Sequence, residues 1–108
     1  MKLKHFYRAI KVFKRELSFE HPVSIRRVKM PKDASGDCCL EDKKFYIRVD
    51  KTLSISHALD ITMHEIGHAL SWFKKDKDDH GPEWGKACAR CYRTFLENWD
   101  EIFEKNKD

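Results

Sequence analysis

Apolar residues at the start of the chain follow one another at intervals of three and four, which is the period of an amphipathic helix. They are Leu3, Phe6, Ile10, Phe13 and Leu17. Cations occupy the opposite side at the same spacing, and these are Lys4, Arg8, Lys11 and Arg15. The pattern therefore predicts an N-terminal helix with a buried face and a basic face, ended by Pro22.

Alternating apolar and polar residues replace this period between positions 23 and 50 and predict strands. The first strand spans residues 23–30, with a bulge where the alternation slips at Arg26 and Arg27. Two further strands, at 38–40 and 45–49, are joined by a short polar connection. Because short connections join antiparallel neighbours, we predict a small antiparallel sheet of about three strands.

The second half of the chain returns to the helical period. One stripe, with Ser54 or Ser56 as the N-cap of its helix, consists of Ile55, Leu59, Thr62, Ile66, Ala69, Leu70 and Phe73. A last helix runs from Pro82 to about Phe103, and its apolar face consists of Trp84, Cys88, Cys91, Phe95, Trp99 and Ile102. These elements predict an α+β fold in a single domain that spans residues 1–108.

The net charge of +4 is unevenly distributed along the chain. Residues 1–32 carry a balance of +8, whereas residues 33–108 carry a balance of −4. The cations of the first helix could therefore follow the phosphates of a nucleic acid. The alternative interpretation is a solvated face on a basic protein.

The sequence contains no apolar run long enough to cross a membrane and no apolar segment after Met1 of the secretory type. We therefore expect a cytoplasmic protein with no membrane partner and with reduced cysteines. Cys88 and Cys91 have the spacing of half a zinc ribbon, but both fall on the apolar face of the last helix. We favour buried free thiols over the alternative of a structural zinc site.

The second helix carries the motif His64-Glu65-Ile66-Gly67-His68, which has the form H-E-x-x-H. Residues four apart point the same way on a helix, so His64 and His68 can offer two imidazoles to one metal ion. Glu65 lies about 100° round the helix from His64. That position suits a general base for the activation of water beside a metal. We predict a zinc site, although Mn, Co and Ni accept the same imidazole ligands.

Two neighbours of the motif also have expected roles. Gly67 is unfavourable in a helix by about 1 kcal/mol relative to Ala, so we expect another part of the chain to approach the backbone there. Asp60 lies one turn before His64 and could accept a hydrogen bond from its second ring nitrogen. An acid favoured by the helix dipole is the alternative for Asp60.

A catalytic zinc ion generally takes three protein ligands, so one more is required. His80 is the candidate we favour because it precedes a helix that must pack against the motif helix. Glu83, one turn further along, is the main alternative, and Asp79 is a weaker one. His57 lies about 10 Å from His64 at helical rise, which is too far to share a metal ion. It either lines the cleft or is a surface residue.

The motif together with the later run His80-Gly81-Pro82-Glu83-Trp84 resembles the SprT/Spartan-like zinc metallopeptidases. Their signature is H-E-x-x-H, a variable polar loop, and H-G-x-x-[F/W] at the start of the next helix. The resemblance is close over about residues 55–95. It implies a zincin-like minimal protease core in which His64, His68 and His80 bind one catalytic zinc ion and Glu65 is the catalytic residue.

The same resemblance suggests substrates and a setting for the activity. Cellular members degrade proteins crosslinked to DNA or act near DNA, and many carry a cysteine-rich tail that binds DNA. This chain looks like the small, tail-less versions found in phage and mobile elements, for which the location would be the host cytoplasm. DNA targeting would then have to come from the basic residues 1–32 or from a partner.

These observations lead to the hypothesis of a zinc metalloendopeptidase that hydrolyses peptide bonds in proteins, including DNA-associated ones. We expect a substrate strand to pair with an exposed sheet edge at residues 45–49. Arg90, Tyr92 and Arg93 are equal candidates for the group that stabilises the oxyanion. The alternatives are a nucleic-acid-binding module with a structural metal site and a protein-interaction module.

Overall fold

The computed structural model describes residues 1–104, so residues 105–108 of the predicted domain lie outside the described part. It contains four helices and three strands, and the fold is α+β as predicted. The elements in chain order are α1 (Leu3–Glu16), β1 (Val23–Val28), β2 (Gly36–Glu41), β3 (Lys44–Asp50), α2 (Ile55–Leu70), α3 (Pro82–Glu97) and α4 (Trp99–Phe103).

One hydrophobic core joins α1, the sheet and the three later helices. Helix α1 contributes its apolar stripe, in which Phe6 and Phe13 are completely buried. Strand β3 contributes alternate residues, as its period of two requires, and these are Phe45, Ile47 and Val49. Because α2 packs on both β2 and β3, the motif helix is fixed against the sheet along its length.

The sheet is mixed, so the prediction of an antiparallel sheet was wrong. The strand order is β1-β3-β2, with β1 parallel to β3 and β2 antiparallel to β3. Asp42 and Lys43 have positive φ angles and form the tight turn between β2 and β3. Strand β3 lies between β1 and β2. It has the most apolar face of the three strands, and in the central position it has a neighbour on each side.

The pairing with β3 also contradicts two further expectations about the strands. Strand β1 pairs with β3 without interruption from Val23 to Val28, so there is no bulge at Arg26 and Arg27. Residues 45–49 belong to the central strand and have partners on both sides. They therefore offer no free edge to a substrate strand, and within residues 1–104 the edges are β1 and β2.

The helices of the second half are shorter than the sequence pattern suggested. The last helix breaks at Asn98, whose side-chain amide donates a hydrogen bond to the carbonyl of Thr94 at 2.8 Å. The short α4 then turns back to pack on α1, and Ile102 is buried there. Helix α2 ends at Leu70, so Phe73 lies beyond it and is 58% exposed instead of continuing the stripe.

None of the helices within residues 1–104 is both long enough and apolar enough to span a bilayer.

Candidate metal centre

Three histidines from two parts of the chain meet at one point of the surface. His64 and His68 lie on consecutive turns of α2, and His80 comes from the loop before α3. One nitrogen atom of each ring lies within 4.8 Å of the corresponding atom of the other two. The structure thus brings together the three residues that the sequence analysis proposed as metal ligands.

The spacing of the ring nitrogens fits a tetrahedral zinc ion. The Nε2 atoms of His64 and His68 are 3.3 Å apart, and those of His64 and His80 are 3.1 Å apart. Two nitrogen ligands at Zn–N distances of about 2.0–2.1 Å are about 3.3 Å apart in tetrahedral geometry. The donor set therefore suits zinc, and the three imidazoles leave a fourth position for a water molecule or a substrate oxygen.

The protein environment favours the neutral, metal-binding form of the helix histidines. Burial, and secondarily the neighbouring His80, lowers the pKa of His64 below its ordinary value. The pKa of His68 is lowered by burial first and then by His64 and His80. Neutral imidazoles are the species that bind divalent metals, so these two side chains are prepared for a ligand role at neutral pH.

Trp84 forms one wall of the metal centre. Its ring is in edge-to-face contact with His64 and His80, with centroid distances of 5.0 Å and 4.6 Å, and it lies 5.7 Å from the ring of His68. The indole N–H donates a hydrogen bond to the backbone carbonyl of His64 at 3.2 Å. One side chain of α3 thus touches all three rings and ties α3 to the motif helix.

Gly67 permits this close contact between the two helices. A Cβ atom at this position would lie 2.8 Å from Sγ of Cys88 and 2.9 Å from Nε1 of Trp84. Both distances are far shorter than van der Waals contact, so a side chain at Gly67 would push α3 away. The expectation that another element approaches the backbone at Gly67 was correct, and that element is α3.

Asp76 fixes the loop that carries His80. Its two carboxylate oxygens accept hydrogen bonds from the backbone N–H groups of Glu83 and Trp84, each at 3.1 Å. These groups belong to the first turn of α3, which has no partner for them within the helix. Sequence reasoning missed this residue because an N-cap is normally adjacent to its helix, whereas Asp76 lies six residues before Pro82.

Glu65, the residue after His64 in α2, lies against the start of β2. Only 8% of the residue is exposed, and its Cγ lies 3.7 Å from the position that a Cβ atom on Gly36 would occupy. Burial raises its pKa to about 7, and the negative charge of Asp37 adds to the effect. Within residues 1–104 no hydrogen bond occupies its carboxylate, so the group is available to a water molecule or a substrate.

The alternatives for the third ligand lie elsewhere. The Glu83 carboxylate pairs with Lys86 at 3.7 Å, and its backbone belongs to the turn held by Asp76. Across the described residues, the three histidines are the only cluster of His, Cys, Asp or Glu with metal-binding spacing. Neither Glu83 nor Asp79 joins it.

Asp60 has a different partner from the expected one. It accepts a hydrogen bond from the Tyr92 hydroxyl at 3.1 Å, and among residues 1–104 no hydrogen bond joins it to His64. Tyr92, His57 and His64 line one cavity. Of the candidates for the oxyanion-stabilising group, Tyr92 is therefore beside the metal centre, whereas Arg90 lines a separate cavity with Glu20.

None of the four cysteines forms a disulfide bond, and of the pair on α3 Cys91 is buried while Cys88 is half-buried. Cys91 is fully buried, and the Cys88 thiol donates to the carbonyl of Met63 at 3.5 Å. Neither belongs to a group of three metal-binding side chains in the described part of the chain. The pair on α3 therefore serves helix packing.

The basic face of α1 is partly engaged by the C-terminal segment. Arg15 makes a bidentate ion pair with Glu101, with N–O distances of 2.7 and 2.8 Å, and Arg8 donates to the carbonyls of Ile102 and Glu104. Lys4 and Lys11 are exposed on the same helix. Arg8 and Arg15 thus have an intramolecular role that the sequence pattern did not reveal.

Comparison with protein-family models gives one match, to the SprT-like family, over residues 3–104. No curated protein and no solved structure matches the chain. The match includes the motif helix, the loop with His80 and the first turn of α3.

Proposed function

The chain belongs to the SprT-like family, and from this premise we propose that it is a zinc-dependent endopeptidase that hydrolyses peptide bonds in protein substrates. Family membership itself suggests a metallopeptidase-related role. The convergence of three imidazole nitrogens within 4.8 Å carries the finer proposal. It supplies the ligand set of a catalytic zinc site with an open fourth position.

Each residue of the site would have its own role in the proposed reaction. His64, His68 and His80 would hold the metal. Zinc, when bound, polarises a carbonyl group and acidifies water. Glu65 would accept the proton of the attacking water and deliver it to the leaving amine, because it follows His64 directly in α2 and its carboxylate makes no hydrogen bond within residues 1–104. Tyr92, the candidate beside the metal centre, would have to turn its hydroxyl away from Asp60 to donate to the oxyanion.

Strand β2 is the edge that we propose for the substrate. Within residues 1–104 it pairs only with β3, so its outer N–H and C=O groups can pair with an extended peptide. Glu65 lies against Gly36 at the start of this strand. A peptide along β2 would therefore pass close to the base. In this arrangement the sheet edge, the motif helix and the following helix form a minimal zincin-like core.

The DNA-related part of the hypothesis stays a prediction. Binding through Lys4, Arg8, Lys11 and Arg15 would have to compete with the contacts of Arg8 and Arg15 to the C-terminal segment. DNA-associated proteins as substrates are implied by resemblance alone. The cytoplasmic location stays a prediction from the sequence.

Replacement Glu65→Gln tests the proposal directly. The variant should bind zinc as the parent protein does, because the carboxylate is not a ligand, and its cleavage of an unfolded protein such as reduced casein should fall by at least about 100-fold. The readout is the release of new amino termini by the zinc-loaded proteins. Asp100→Asn on the exposed surface of α4 is the matched control and should retain full activity. Equal cleavage by the parent protein and Glu65→Gln would refute the proposal.

A further inference from the structure

The cavity lined by His57, His64 and Tyr92 opens directly beside the metal centre. Its volume is about 360 Å³. It shares His64 and Trp84 with the metal centre, and its other walls are formed by His57, Asp60, Ile61, Cys88 and Tyr92. A substrate whose scissile bond lies at the metal ligands would therefore place an adjacent side chain at the mouth of this cavity.

We infer that this cavity is a substrate subsite that receives a lysine or arginine side chain next to the scissile bond, with Asp60 as the group that recognises its charge. The inference rests on the proposed function and adds the class of substrate to it. Nothing in the H-E-x-x-H motif requires an acid at position 60, so the preference would be a property of this particular cavity.

The walls of the cavity suit an amphipathic side chain. Ile61, Cys88 and the ring of Trp84 provide apolar surface for the methylene groups of lysine or arginine, which normally pack on apolar surface while their charged ends reach a polar partner. The indole ring of Trp84 can also attract a cation through its π face. The polar groups of the cavity, Asp60, His57 and the Tyr92 hydroxyl, provide the polar partner.

Asp60 is a carboxylate available for an external cation. Within residues 1–104 it makes no ion pair, and its one hydrogen bond comes from Tyr92. That bond orients the carboxylate and leaves lone pairs free, since an ionised carboxylate accepts about four hydrogen bonds. Burial, followed by the charge of Asp60, raises the pKa of Tyr92 to about 12, so its hydroxyl stays a donor at neutral pH.

Other side chains would fit the cavity less well. An aliphatic or aromatic side chain would remove water from Asp60 without offering a donor, which is unfavourable for a charged group. An acidic side chain would meet Asp60 as a like charge. The preference for a cation therefore follows from Asp60, the single carboxylate in the wall of this cavity.

The first test measures binding without hydrolysis. Two blocked alanine pentapeptides, one with a central lysine and one with a central norleucine, are titrated into the zinc-loaded Glu65→Gln protein. The lysine peptide should bind about two- to fivefold more tightly, the scale of an exposed ion pair. Adding Asp60→Asn should abolish the difference, whereas adding Asp100→Asn, the same chemical change on α4, should preserve it.

The second test maps the cleavage sites of the zinc-loaded parent protein in reduced casein. Lysine and arginine should be enriched several-fold at one position next to the cleaved bond, and Asp60→Asn should remove this enrichment. Equal binding of the two peptides, or an enrichment that survives Asp60→Asn, would overturn the inference. Preferred lysine binding without any cleavage by the parent protein would instead refute the proposed function and leave the cation subsite standing.

Discussion

Individual side chains at the metal centre are specialised by their surroundings. Burial lowers the pKa of both helix imidazoles. His80 adds to the effect on His64, and His64 and His80 add to the effect on His68. Glu65 is adjacent in sequence but faces β2, where burial raises its pKa. Helix α2 thus presents two metal ligands on one side and a proton acceptor on another, because successive residues are rotated by about 100°.

Burial also makes the four thiols differ in reactivity, and this difference can be measured. Burial raises the pKa of Cys38 to about 12 and that of Cys88 to about 11, and it raises the pKa of the fully buried Cys91 further. Cys39 is exposed. Because the thiolate is the nucleophile, we expect iodoacetamide at pH 8 to modify Cys39 more than about 100-fold faster than Cys38.

The fast phase of this alkylation should vanish in Cys39→Ser and persist in Cys38→Ser. All four thiols should react alike in 8 M urea, where burial is lost. Since the folded-state pKa of Cys38 exceeds that of the unfolded chain, its contribution to stability is full below the unfolded value and declines as the pH rises toward 12. Rapid alkylation of Cys38 in the folded protein would contradict the packing of β2 against α2.

At the scale of elements, the metal centre depends on the contact between α2 and α3. The two helices approach at Gly67, and Trp84 fills the space above it. The loop between them is held by Asp76, which accepts hydrogen bonds from the first turn of α3. His80 lies within this loop and owes its position to both contacts.

Two glycine replacements test the helix contact. Gly67→Ala should destabilise the protein by about 1–3 kcal/mol, because the added methyl group overlaps Cys88 and Trp84. Gly85→Ala on α3 should stabilise it by about 0.5–1 kcal/mol, because a Cβ atom there meets nothing within 4 Å and alanine favours the helix. Urea unfolding of both variants measures the difference. Stabilisation by both would show that the helices are further apart than in the structure.

Replacement of Asp76 tests the loop. Asp76→Asn removes the charge that satisfies the N–H groups of Glu83 and Trp84, so His80 should lose its fixed position. Zinc affinity should fall by about 10- to 100-fold, as is usual for residues that orient a ligand. Asp78→Asn, an exposed change in the same loop, should leave zinc affinity unchanged. Competition with a fluorescent chelator measures both, and equal affinity in the two variants would exclude this role of Asp76.

For the whole molecule, the sequence predicts local features better than the arrangement of strands and helix breaks. The period of α1, the cap of α2 by Ser54 and the meeting of His64 with His68 follow from residues close in the chain. The parallel pairing of β1 with β3 depends instead on which strand has the most apolar face and takes the central position. The break at Asn98 depends on the packing of α4 against α1, which includes the ion pair of Arg15 with Glu101.

The most direct measurement for the central claim is the metal content and X-ray absorption spectrum of the purified, zinc-replete protein. We expect one zinc ion per chain, with nitrogen and oxygen neighbours at about 2.0–2.1 Å that include three imidazoles. His80→Ala should lose one imidazole from the spectrum and weaken binding by more than about 100-fold. A spectrum with sulfur neighbours at about 2.3 Å, or a protein that binds no zinc, would contradict the assignment of His64, His68 and His80 as its ligands.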